Sequence, residues 1–158
     1  MSARMLAFLL PALLAAALAT AAGAAGFQLL SAGEYRSELA ARAAPGAALA
    51  LRSADLDAPT ITVVSPAGSA AITPPVDIDL RFKAAPGATV DPKTLKILYG
   101  FLKIDVTQRI VSAPGVEISA TGLKAAGARL PSGDHKLLIE VADNLGRTAR
   151  QPLEFTVH

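Results

Sequence analysis

The stretch Val76-Asp77-Ile78-Asp79-Leu80-Arg81-Phe82-Lys83 alternates apolar and charged residues without a break over eight positions. In an extended chain successive side chains point to opposite faces, so Val76, Ile78, Leu80 and Phe82 form one dry face and the four charged residues one wet face. A helix would scatter the same residues around its axis. The segment therefore reads as a β-strand of a sheet covered on one side only, which is the habit of antiparallel sheets.

Moving outward, the same period recurs at short intervals. Strands are expected at Thr60–Val64, Leu95–Tyr99, Leu102–Thr107 (with Leu102, Ile104 and Val106 inward), Val116–Ala120, Lys136–Ala142 (with Leu137, Ile139 and Val141 inward) and Leu153–Val157. Between them lie Ser65-Pro66, Pro86-Gly87, Pro114-Gly115, Pro131-Ser132-Gly133 and Asp143-Asn144-Leu145-Gly146. Proline fixes φ in such turns, and glycine or asparagine accepts a positive one. About seven short strands spaced about a dozen residues apart predict an all-β fold, an antiparallel sandwich over residues 59–158.

Residues 26–58 have a different period. Ser31 and Glu34 stand at capping-box spacing, and Tyr35, Leu39 and Ala43 follow at helical spacing up to Pro45-Gly46. The reading is a short helix, Ser31–Ala44, too poor in large side chains to be stable alone, followed by a linker to Pro59. Further back, Met5–Leu18 is an uncharged apolar run behind Arg4, and Ala19–Gly26 is a train of small residues. That order predicts a signal peptide over residues 1–25, cleaved after Ala22 or Ala25, with an uncleaved anchor in the inner membrane as the alternative. Export places the protein in the periplasm or outside the cell.

The closing segment, Leu130-Pro131-Ser132-Gly133-Asp134-His135-Lys136 through Val141-Ala142-Asp143-Asn144-Leu145-Gly146-Arg147 and then Leu153-Glu154-Phe155-Thr156-Val157, resembles the last strands of bacterial immunoglobulin-like domains of the fibronectin III and cadherin-like kind. Asp91-Pro92-Lys93-Thr94-Leu95-Lys96-Ile97 is similar to their middle region. The resemblance covers residues 59–158 and implies an immunoglobulin-like β-sandwich serving as a spacer, adhesin or accessory module. The antibody-type disulfide and core tryptophan are missing, since the chain has neither Cys nor Trp. Val, Ile, Leu and Phe must fill that core instead.

Composition narrows the chemistry. Without cysteine there is no disulfide framework, thiolate metal site or sulfur nucleophile. Of the 15 basic residues only Arg4 lies in the signal segment, so the remainder nearly balances 13 acidic ones. The basic residues stand singly, with no run and no interleaved aromatics, which argues against nucleic acid as a partner. Of the two imidazoles, His135 opens a predicted strand and His158 is the last residue. Ser132, Asp134 and His135 are chain neighbours, and a turn entering a strand points neighbours apart rather than into a triad. Asp77 and Asp79 share the wet face with Arg81 and Lys83 and read as solvated.

No enzyme activity, cofactor or metal is therefore expected. The reading is a non-enzymatic binding or structural module of the bacterial envelope that engages another envelope or extracellular protein through sandwich loops or edge strands. The alternative is an accessory subunit that docks on an envelope enzyme or machine through helix 31–44. Calcium binding rests on Asp55-Leu56-Asp57 alone, short of the 6 or more oxygens the ion takes. Carbohydrate binding lacks an aromatic platform, because Phe82 and Tyr99 are expected inside. The residues singled out for a partner are Tyr35 and Leu39 on the helix, and Phe101 with Lys103 at a hairpin tip.

Overall fold

The computed structural model describes residues 26–43, 57–67 and 71–158. The signal segment and most of the linker lie outside the described residues. The described chain forms two five-stranded sheets packed face to face, with two short helices. The all-β sandwich expected from the alternating strands is what is found.

One sheet has the strand order β1-β8-β4-β2, with β7 beside the first half of β8. Its members are β1 (Phe27–Gln28), β2 (Thr60–Ser65), β4 (Val76–Lys83), β7 (Glu117–Ser119) and β8 (Gly122–Arg129). The other runs β3-β10-β9-β5-β6, from β3 (Ala71–Ile72), β10 (Thr148–Val157), β9 (Gly133–Asp143), β5 (Val90–Tyr99) and β6 (Ile104–Asp105). Pairing is antiparallel except for β1 on β8 and β3 on β10. The inward residues of β4 meet those of β5, β9 and β10 in one core that includes Leu80, Leu123, Ile97, Ile139, Val141 and Phe155.

The strand that opened the reading is β4, with the bounds and the buried face expected of it. The Asp143–Gly146 hairpin also forms as read. Asp143 is buried, accepts the backbone N–H of Leu145 and of Arg147 at 3.0 Å each, and binds the Arg147 guanidinium at 2.7 Å. Burial pushes its carboxyl up, but the bonds from Arg147 outweigh this and hold it below the usual carboxylate range.

Three expectations are corrected. The strand read over Leu102–Thr107 shrinks to Ile104–Asp105 and gives way to helix α2 (Thr107–Val111). The cause is local: Lys103 turns at φ 50, and the Asp105 carboxylate takes the N–H of Thr107, starting a helical turn. Val106 is fully buried as expected, but Leu102 is 47% exposed. Strand β8, Gly122–Arg129, was not expected, because beyond Leu123 its core positions are held by Ala125 and Ala128, which give little hydrophobic signal. A Cβ at its first residue, Gly122, would run into the Leu80 carbonyl of the neighbouring strand.

Third, the folded unit includes residues ahead of Pro59. Phe27–Gln28 pairs with Ala128–Arg129, Leu29 donates its N–H to the Arg129 carbonyl at 3.1 Å, and Leu29 and Leu30 are fully buried in the sandwich core. The segment ahead of the linker is thus part of the domain and not a tethered leader. Helix α1 (Ala32–Arg42) follows at once, capped by the expected box: the Glu34 N–H binds the Ser31 hydroxyl oxygen, and the Glu34 carboxylate accepts the Ser31 N–H at 2.9 Å.

Candidate functional site

The apolar stripe read at Tyr35, Leu39 and Ala43 is not the face that α1 buries. The buried face runs through Tyr35, Glu38 and Arg42, three residues at spacings of three and four that share one side of a helix. Leu39, one step around the axis, is 44% exposed. A polar face has replaced the expected apolar one, and each of its members finds a specific partner in the sandwich.

Glu38 is completely buried. Its carboxylate accepts the backbone N–H of Phe101 at 2.5 Å and of Leu102 at 3.0 Å, and pairs with Arg42 Nε at 2.9 Å. Burial pushes its carboxyl up, yet the two backbone N–H donors and Arg42 hold it below the usual range, so it remains charged. The turn that supplies those donors is shaped to receive it. Gly100 adopts φ 66, and a Cβ there would overlap the Glu38 carboxylate.

Beside Glu38 lies His135, 1% exposed, at the start of β9. Its Nε2 is 2.8 Å from the Pro131 carbonyl oxygen, which only accepts, so Nε2 carries the hydrogen. The bare Nδ1 then accepts from the Tyr99 hydroxyl at 2.6 Å. The ring sits among three others, with centroids 5.3 Å from Tyr35, 5.4 Å from Phe155 and 5.8 Å from Tyr99. Burial lowers the His135 pKa and keeps the ring neutral, and burial raises that of Tyr99. Arg42 closes the cluster by donating to the Asp134 carbonyl at 3.2 Å.

A second tie fixes the other end of α1. Arg109, on α2, makes a two-pronged bond to Glu34, at 2.5 Å and 2.9 Å, and donates to the Leu29 carbonyl at 3.0 Å. The Arg109 hydrogen bonds, with those from Ser31, lower the Glu34 carboxyl to about 2.

Of the four residues picked from sequence, Tyr35 and Leu39 lie on α1 and Phe101 and Lys103 in the turn that Glu38 binds. Tyr35 packs on His135, and Phe101 lends its N–H to Glu38 with its side chain half-buried. Leu39 and Lys103 face solvent on the two elements that Glu38 joins. Sequence reading did not assign Glu38, Arg42, His135 or Arg109 to the site, and it placed Tyr99 inside, where it is found, without a role there. The spacing of Tyr35, Glu38 and Arg42 was a usable signal for the first two. Nothing local marks His135 as a core residue except its inward place in the alternation with Leu137 and Ile139.

The neighbours of His135 do point apart. Asp134 accepts the Thr156 hydroxyl at 2.8 Å and Ser132 is exposed, while the imidazole is turned inward. Asp77 accepts the Gly127 N–H at 3.0 Å, and Asp79 pairs with Arg81 at 3.3 Å. Among the described residues no three of His, Asp or Glu are grouped so as to hold a metal ion. A cleft of about 470 Å³ lined by Gln28, Leu30, Arg129 and Pro131 lies against the start of α1.

No family model matches the chain, and no curated protein does. Among solved structures the fold is similar to that of CopC from Methylosinus trichosporium OB3b, at 22% identity over 62% of this chain and 93% of that one, with a TM-score of 0.41. It is also similar to part of an engineered protein, at 15% identity over 63% of this chain and 20% of that one, with a TM-score of 0.43. Likeness at this level concerns the arrangement of strands and carries over no ligand, partner or residue role.

Proposed function

We propose that this protein is an exported, non-enzymatic module with an immunoglobulin-like sandwich, and that it engages another protein of the bacterial envelope where α1 meets the Gly100–Lys103 turn. The observation that carries this reading is the pair Leu39 and Leu102, 44% and 47% exposed on elements far apart in sequence that the buried Glu38 carboxylate fastens together. Two apolar side chains held on a fixed frame, with the half-buried Phe101 next to Leu102 in the turn and the exposed Lys103 after it, form an anchor-and-rim arrangement of the kind protein interfaces use. The frame loses little further freedom on binding, which favours affinity.

The helix-docking and loop-docking readings thereby converge on one edge, with α1 offering its outer side while its inner side stays on the sandwich. Export is supported by the apolar run Met5–Leu18 and the small residues after it. Among the described residues no helix is long and apolar enough to cross a membrane.

A photo-crosslinking residue placed at Leu39 or at Leu102 in the native host tests the reading. Both positions should give the same adduct, and Leu145, 62% exposed at the far end of β9, should not. Absence of an adduct at both positions, or the same adduct at all three, overturns it.

A further inference from the structure

Helix α1 is held to the sandwich by few side chains, and nearly all of them are polar. Glu34 binds Arg109, Glu38 binds the turn amides, Arg42 binds the Asp134 carbonyl, and Tyr35 rests on His135 and Gly133. Elements attached in this way open before the strands of a core do. His135 is the member of this set whose ordinary titration range lies nearest neutrality, and its bonds require the neutral ring. Its Nε2–H is committed to the Pro131 carbonyl, and its Nδ1 is the only acceptor offered to the Tyr99 hydroxyl at that contact. A second proton would sit on Nδ1, facing a hydroxyl that must then swing its own hydrogen elsewhere in a closed, aromatic-walled space.

We propose that His135 is an acid-opened latch: charging its imidazole frees α1 from the end of the sandwich and leaves the N–H groups of Phe101 and Leu102 open.

The charged and titratable surroundings favour opening over accommodation. Helix α1 brings Tyr35 and the Arg42 guanidinium towards the ring, with Glu38 engaged by Arg42 and the turn. Strand β5 brings Tyr99, and β10 brings the uncharged Phe155 and Thr156. The one nearby carboxylate on its own strand, Asp134, is bonded to Thr156. An imidazolium would meet Arg42 as well as Asp134, and burial, the largest influence on the ring, outweighs the favourable Asp134 charge. The latch is a property of the chain by itself and does not depend on the partner reading.

The pH window follows from the sign of the linkage. His135 takes up a proton less readily when buried than in an open chain, so the closed state binds fewer protons below about pH 6.5. Its contribution to closure is full above that pH and is lost as pH falls through the lowered value. Glu34, Glu38, Asp105 and Asp143 are all held below the ordinary carboxylate range, so none of them gains a proton between about pH 6.5 and 5.

Hydrogen–deuterium exchange of the protein at pH 7.5 and 5.5, corrected for intrinsic rates, tests the latch. The amides of α1 and those of Phe101 and Leu102 should lose at least tenfold protection at the lower pH while β5 and β9 keep theirs. His135→Gln, which carries no charge at either pH, should abolish the difference, and His158→Gln should preserve it. Unchanged protection of α1 at pH 5.5, or an equal loss throughout the sheets, overturns the proposal. Should His135→Gln not fold, titration of the His135 ring by NMR in the unmodified protein decides: opening that precedes charging of that ring overturns it equally.

Discussion

The Glu38 carboxylate, on the helix near the start of the described chain, accepts the N–H of Phe101, 63 positions further on, at 2.5 Å. A buried carboxylate in this role is costly to truncate, because the loss strands two turn amides and Arg42 together. Glu38→Ala should cost about 3–5 kcal/mol in urea unfolding, as breaking one side of a buried charged pair does. Glu38→Gln keeps the shape and one acceptor oxygen and should cost less. Equal and small losses for both would mean that the carboxylate is not seated as described.

The turn below it gives a paired test. Gly100 and Gly87 both have positive φ, 66 and 77, so alanine at either place bears the left-handed penalty of about 1–2 kcal/mol. A Cβ at Gly87 meets open space, whereas one at Gly100 meets the Glu38 carboxylate. Gly100→Ala should be clearly the more destabilising and should expose α1 to proteolysis, and Gly87→Ala should not. Similar melting temperatures for the two would contradict the close seating of Glu38.

How far the sequence discloses this architecture depends on what marks each element. Strand β4 throughout, the middle of β9 at Leu137, Ile139 and Val141, and the second half of β10 at Leu153, Phe155 and Val157 carry large apolar residues at every second position, and their faces are legible at sight. Strand β8 fills its core positions partly with alanine, and β1 is two residues long, so the alternation signal is weak or absent. The candidate site is harder still. Its cohesion comes from a carboxylate reaching backbone N–H groups of a distant turn, and backbone donors have no sequence signature. Tyr35, Leu39, Phe101 and Lys103 could be picked one by one, but the residue that joins their two elements is acidic, and although its spacing from Tyr35 and Arg42 marks a shared face, its charge points to solvent.

Acid titration should separate the two ties of α1. Glu34 is lowered to about 2 by Arg109 and Ser31, so its stabilising contribution is complete above its unfolded value of about 4.5 and disappears as pH falls through about 2. The stability difference between the unmodified protein and Glu34→Gln should therefore be constant from pH 7 to about 5 and shrink below that. A difference that grows on acidification would have the wrong sign for this ion pair.

Surface and core leucines should divide sharply. Leu80 is fully buried, and Leu80→Ala should cost about 2–5 kcal/mol. Leu39→Ala and Leu102→Ala, at sites nearly half exposed, should stay within about 0.5 kcal/mol while weakening any crosslink to a partner. Loss of stability in the latter pair would place those side chains in the fold and not on its binding edge.

The segment ahead of the linker should prove essential to the sandwich. Leu29 and Leu30 are fully buried, β1 extends the sheet beside β8, and Arg109 is satisfied in part by the Leu29 carbonyl. Each leucine removed from a packed core costs about 2–5 kcal/mol, and here two are lost together with a strand and a buried acceptor. Against a total of about 5–15 kcal/mol for a domain of this size, that loss leaves little or nothing. A fragment starting at Pro59, which the alternating pattern alone would present as a complete sandwich, should show no cooperative thermal transition, or one far below that of a chain starting at Gly26. Addition of a synthetic peptide of residues 26–43 should restore part of the difference in a concentration-dependent way, since whatever binds only the folded form raises its apparent stability. A fragment from Pro59 that melts as high as the longer chain would show that the buried leucines contribute nothing essential and that the sandwich closes without them.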